Sequence, residues 1–159
     1  MPGVSLFERQ QIQSLLQCAA PPPIDPGSGL AIFDMFGDAR RAYEVAVAPA
    51  MRAAGLNQTE VFAAFDQTSP LRSVTHCVMS AEVVVADLST INPSVYYVLG
   101  LAHAMGRCPI MIAASESSLL FDLANLRCIR YSNTRSSLLR LREELTRALR
   151  VFRASSGSA

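Results

Sequence analysis

The sequence predicts a single α/β domain, flavodoxin-like or Rossmann-like, with a mostly parallel five-stranded sheet and helices on both faces. Three observations carry this prediction. Short apolar stretches alternate with longer helical patterns, the order that builds parallel sheets. Val83-Val84-Val85-Ala86 is a continuous apolar run, and strands buried on both faces lose the polar alternation of half-exposed ones. The segment after it carries both helix end signals. Asn92 is a favoured N-cap, Pro93 suits the first helical position, where an N–H would go unpaired, and Gly106 can adopt the left-handed stop. A chain of 159 residues fits one domain.

Taken in order, residues 1–29 read as an N-terminal helix and a Pro/Gly linker, residues 30–153 as the domain, and residues 154–159 as a small polar, disordered tail. Leu6, Phe7, Ile12, Leu15 and Leu16 give the first helix a loose apolar face. The cluster PPPIDPGSG, Pro21 to Gly29, cannot continue a helix or a central strand. Leu30 to Phe36 reads as the first strand, with Asp38 as N-cap of a helix running to Ala54. Tyr43, Val47, Ala50, Met51 and Ala54 recur at helical spacing, and Gly55 ends the helix. Pro49 removes the hydrogen bond to residue 45 and predicts a kink or a break. Leu56 to Phe65 is a strand by its place in the order and leans helical by composition. Thr68 to Ser80 reads as a helix capped by Ser69, with Leu71, Val74, Val78 and Met79 on its buried side.

Glu82 to Leu88 is the central strand, and the capped helix follows to Met105. Arg107 to Ala113 and Arg127 to Tyr131 are the last two strands, separated by a Ser- and Glu-rich loop and Leu120-Phe121-Asp122-Leu123. Ser136 to Phe152 is the final helix. Leu138, Leu141, Leu145, Leu149 and Phe152 mark its core face, and Arg140–Glu144 and Glu143–Arg147 are i,i+4 pairs on its wet face.

Composition excludes several function classes. The net charge of +1 argues against an electrostatic nucleic-acid binder. No run approaches a membrane-spanning length, and no basic region precedes an apolar stretch at the N-terminus, so no secretory signal is expected. All fourteen basic residues are Arg, which removes Schiff-base chemistry and a Walker-type phosphate lysine. Cys18, Cys77, Cys108 and Cys128 form no C-x-x-C pair, and with only His76 and His103 there is no metal-ligand spacing. The four cysteines read as reduced thiols of a cytoplasmic protein, with Cys108 and Cys128 inside buried strands. No metal and no cofactor is implied.

In open α/β sheets ligands bind beyond the carboxyl ends of the strands, which selects the loop after the central strand. VVVADLSTINPSVYYVLGLAHAMGRCPIMI, with LLFDLANLRCIRY further on, resembles the nucleoside 2-deoxyribosyltransferase-like family, relatives of TIR domains. The likeness is close over residues 82–131 and loose over 30–150. It implies a pocket for a nucleoside, a nucleotide or an NAD-like ligand, lined by Met35 and Phe36 after the first strand, by Asp87, Ser89, Asn92 and Tyr97, and by Asp122. The family's nucleophilic glutamate falls at Val98, which can neither attack a sugar carbon nor stabilise an oxocarbenium-like centre. Two departures affect pocket shape: the family's Pro is missing near Phe36, and Leu120 replaces the Pro before Phe121.

Each candidate also has a structural reading. Asp87 either binds a sugar hydroxyl or caps backbone N–H groups in its turn; a bare carboxylate there would be costly. Asn92 caps the helix with or without a ligand contact, and Ser89 is similar. Tyr96 and Tyr97 stack on a base or pack. His103, without a partner at motif spacing, reads as a core or interface residue. Asp122 caps a short turn or faces the pocket. Glu44, Glu60 and Glu82 are the carboxylates available to replace the missing nucleophile.

Three functions follow as expectations. The first is a catalytically impaired binding module, a homo-oligomer that holds a nucleoside, nucleotide or NAD-like ligand. The second is an active N-glycosidase, deoxyribosyltransferase or NAD hydrolase that uses another carboxylate. The third is a protein-interaction domain with a vestigial pocket.

Overall fold

A computed structural model describes residues 22–60, 70–119 and 128–156. Its centre is β3, Ala81–Asp87, whose residues are buried except for half-buried Glu82. Val83 and Val85 face one apolar cluster, and Val84 and Ala86 face the other. The alternation of side chains along a strand thus fills two cores at once, which is why the sequence there shows no polar positions.

Around β3 lie four more strands: β1 Asp25–Ile32, β2 Asn57–Glu60, β4 Ile110–Ala114 and β5 Cys128–Tyr131. All four strand pairings are parallel, in the order β2-β1-β3-β4-β5. The register sets Ile32 beside Ala86, Asp87 beside Ile112 and Ala114 beside Tyr131, so the carboxyl ends share one edge. The predicted fold class is the one observed.

β1 starts at Asp25 rather than Leu30. The Pro/Gly stretch pairs because Asp25 is in register with Ala81, across an irregularity that closes again at Gly29. A Cβ on Gly29 would sit 3.3 Å from both the Leu56 Cβ and the Met51 Sδ. Glycine there lets the strand approach the helix above it.

The first helical segment has three parts: α1 Gly37–Ala42, a π-helical turn Tyr43–Val47, and α2 Ala48–Ala53. The break falls where Pro49 predicts it. Ala48 N–H reaches back to the Tyr43 carbonyl, a wider turn that accommodates the missing donor. Asp38 is not the cap. Phe36 holds that position without a side-chain bond, and Asp38 lies in the first turn, where its charge complements the helix dipole.

α3 Pro70–Ser80 buries Val74 and Val78; its proposed cap, Ser69, lies outside the described residues. α4 Pro93–Ala104 begins with the Asn92 side chain accepting from Ser94 N–H, as expected. It ends at Gly106, with φ +72°. α5 Arg135–Ser156 buries Leu138, Leu141, Leu145 and Leu149. It continues through Ala154 and Ser155, so those residues are helix rather than tail. β4 starts at Ile110, which leaves Cys108 exposed ahead of it rather than buried in a strand. α1, α2 and α5 cover one face of the sheet, and α3 and α4 cover the other. Residues 1–21, Phe65 and Asp122 lie outside the described residues.

Among the described residues no helix is long and apolar enough to cross a membrane, and no group of three or more His, Cys, Asp or Glu side chains is placed to hold a metal. Cys77, Cys108 and Cys128 are free thiols.

Candidate functional site

From β1 the chain goes to β2 on one side and then returns to β3 on the other. The direction of winding therefore reverses between β1 and β3, and the loops after these two strands lie at the carboxyl edge, where sheets of this order bind ligands in a crevice. A hydrogen bond ties the two loops: Thr90 Oγ1 donates to Asp34 Oδ2 at 3.2 Å, while Asp34 Oδ1 accepts from Phe36 N–H.

Asp87 ends β3 at 3% exposure. Its Oδ1 accepts from Ser89 N–H at 2.9 Å and from Ser89 Oγ at 2.5 Å. Its Oδ2 accepts from the Tyr131 hydroxyl at 2.7 Å. Ser89 Oγ lies 2.9 Å from that hydroxyl and accepts from Ala114 N–H at 2.7 Å. Asp87 and Ser89 together thus tie the ends of β3, β4 and β5. Burial pushes the acid up from its ordinary value, and the donated hydrogen bonds work against that shift. Tyr131 is pushed up, first by burial and then by the facing Asp87 charge. The space among Phe33, Tyr43, Val85 and Asp87 has no room for a water molecule, so the carboxylate is dry on that side. Of the two readings of Asp87, this geometry realises the capping one.

The other predicted residues divide between frame and surface. Asn92 caps α4 through Oδ1, at 2.9 Å from Ser94 N. Met35 (38% exposed), Phe36 (80%) and Tyr97 (55%) present apolar surface from the two loops and from the start of α4. Ile91, at 66%, joins them unpredicted. Tyr96 is half-buried, and its buried hydroxyl has no hydrogen-bond partner among the described residues. His103 is exposed rather than in a core. Val98 is 1% exposed and packs in one cluster with Val84, Ala86, Val95 and Leu99. Its side chain belongs to the core between α4 and the sheet.

The alternative carboxylates are engaged. Arg40 bridges Glu44 at 2.7 Å and Glu60 at 3.1 Å, and its guanidinium lies over the stacked rings of Phe33 and Tyr43. Glu82 is at the opposite edge, where it accepts from Arg153 Nε at 2.8 Å and from Gly27 N–H. Asp38 is the exception. It is exposed, makes no hydrogen bond or ion pair among the described residues, and is near enough for its charge to raise Tyr131. Burial raises the Cys77 and Cys128 thiols, which disfavours their nucleophilic forms.

Sequence reasoning missed Asp34, Thr90, Ile91 and Tyr131. Asp34 has a signal, since it follows β1 as Asp87 closes β3. Tyr131 is 44 residues from its partner, and its one signal is its place at the end of the RCIRY strand. No protein-family model, curated protein or solved structure matches the chain.

Proposed function

We propose that this chain is a binding module for a nucleoside, a nucleotide or an NAD-like ligand, of the nucleoside 2-deoxyribosyltransferase-like kind, and that it does no covalent chemistry on the sugar. The observation that carries the reading is the carboxyl edge itself. Phe36 after β1, Ile91 after β3 and Tyr97 near the start of α4 are exposed, and beside them Asp87 is held by hydrogen bonds from Ser89 and Tyr131. Exposed rings beside main-chain polar groups suit a flat heteroaromatic ligand, which stacks on the rings and takes hydrogen bonds at its rim. The Asn92 amide nitrogen makes no hydrogen bond among the described residues and is a donor for such a rim.

Position 98 is a buried hydrocarbon, and Glu44, Glu60 and Glu82 are each held by a guanidinium. A nucleophile on sugar carbon must be a carboxylate that is free to attack.

Calorimetry with a panel of nucleosides, nucleotides and NAD tests the reading. We expect at least one to bind in the micromolar to millimolar range, with Phe36→Ala and Tyr97→Ala each weakening it by about tenfold. No binding at millimolar ligand would end it. A second reading rests on Asp38, an exposed acid after β1 that makes no hydrogen bond or ion pair among the described residues. Base or nicotinamide release that is lost in Asp38→Asn would establish hydrolysis in place of simple binding.

A further inference from the structure

On the face covered by α5, an apolar groove of about 700 Å³ runs between that helix and strands β4 and β5. Ile110, Ile129 and Phe152 line it and pack against the core beneath. The helix offers the groove a second stripe beside its leucine core face: Glu144, Arg147, Ala148 and Val151. Val151 is 70% exposed, the most exposed large apolar residue of the helix.

Among the described residues the charges on this stripe also form no ion pair. Neither Arg140–Glu144 nor Glu143–Arg147 closes as an intrahelical pair among the described residues, where the i,i+4 pair that does form is Arg40–Glu44. Glu144 and Arg147 therefore enter the groove wall as separate opposite charges. An occupant must be apolar along its middle and carry a positive and a negative group one turn apart. α5 itself meets that description.

We propose that this groove is a two-fold interface with a second copy of the chain, in which α5 of each copy lies antiparallel in the groove of the other. The proposal does not depend on the ligand reading above. Ala148, the smallest residue of the stripe, marks the crossing and allows close approach. With the crossing there, Arg147 of one copy and Glu144 of the other are offset by about 7.5 Å along the axis, within an arginine's reach. The two-fold makes this contact twice, and the same surface serves both copies. Val151 then lies over the partner's groove, out of water.

Sedimentation equilibrium on the full chain tests this. We expect a dimer at micromolar concentration. Val151→Glu should shift it to monomer by at least about tenfold in dissociation constant, with an unchanged far-ultraviolet circular dichroism spectrum as the control for folding. Glu144→Arg and Arg147→Glu should each weaken the dimer, and the double variant should return most of the loss, because the charges are exchanged and not removed. A monomeric parent chain at 100-fold higher concentration would overturn the proposal. So would a dimer indifferent to Val151→Glu, or a double variant no better than the singles. Deleting residues 1–21 should leave the dimer intact. A dimer lost on that deletion, or one that appears only after it, would assign the contact or the groove to the chain's own N-terminus and refute the two-fold.

Discussion

Strand β3 carries a carboxylate near each end, and the two edges of the sheet treat them differently. At the amino edge Glu82 is half-buried and faces a guanidinium: Arg153 Nε at 2.8 Å, with its Nη1 reaching the Ala54 carbonyl at 2.7 Å. That arrangement fastens the end of α5 to the start of two strands. At the carboxyl edge Asp87 is buried and meets only neutral donors, two from Ser89 and one from Tyr131. A buried charge without a counter-charge needs full hydrogen bonding to be tolerated. The amino edge is therefore a fastener that water can partly screen. The carboxyl edge is a rigid frame holding exposed rings.

Four perturbations sharpen or break this contrast. The largest effect is expected from Val98→Glu, at the layer beneath the carboxyl edge. A carboxylate buried there should cost about 4 kcal/mol at pH 7, because its pKa must rise by several units. The penalty should shrink by roughly half or more at pH 5, where the unfolded chain also nears protonation. Urea denaturation at both pH values measures it. A variant as stable as the parent at pH 7 would place position 98 against the crevice and return it to the list of site residues.

Next is Asp87→Ala, which strands three donors and should cost about 3 kcal/mol. Asp87→Asn should cost less and reveal the sign of the titration. Burial raises the folded-state value of Asp87, so its contribution is fullest below the unfolded-state value and declines as pH rises through the folded one. The parent's advantage over Asp87→Asn should therefore narrow from pH 4 to pH 7. A widening advantage would mean that the hydrogen bonds outweigh burial.

Third, Tyr43 is pushed up to about 12, mainly by burial and then by Glu60. A raised value favours the neutral phenol in the fold. Stability of about 2 to 3 kcal/mol should be complete below pH 10 and lost as pH approaches 12. Tyr43→Phe should flatten that part of the alkaline profile. The smallest effect belongs to the fastener. Glu82→Gln should cost about 1 kcal/mol in dilute buffer and less in molar salt, given its partial exposure. An equal salt dependence at Asp87 would erase the contrast between the edges.

Much of the fold was legible because its signals are local. The Val83–Ala86 run, the Asn92-Pro93 start and the Gly106 stop each act within one element, and each element is where those residues put it. The start of β1 was not legible. Its Pro and Gly read as a linker, while Gly29 is there to make room for Leu56 and Met51 from another element. The frame of the site was half legible. Asp87, Ser89 and Asn92 stand out by position, but Tyr131 and Ala114 arrive from strands distant in sequence. Position 98 carried two signals at once. The motif pointed to the crevice, while the spacing of Val95, Val98, Leu99 and Ala102 pointed to the core, where all four are buried.

The wide turn at Tyr43–Val47 has a consequence of its own. One surplus residue in a helix rotates everything before it by about 100° relative to everything after it. Upstream of the turn Arg40 reaches Glu60, while downstream Met51 points to the core. The segment works like a gear with one added tooth, and removing a single residue between 43 and 47 would leave every side chain in place chemically yet swing Arg40 and the ring beneath it away from their partners. A protein can re-aim one wall of its crevice in this way by changing length alone, with no change of residue type at the wall itself.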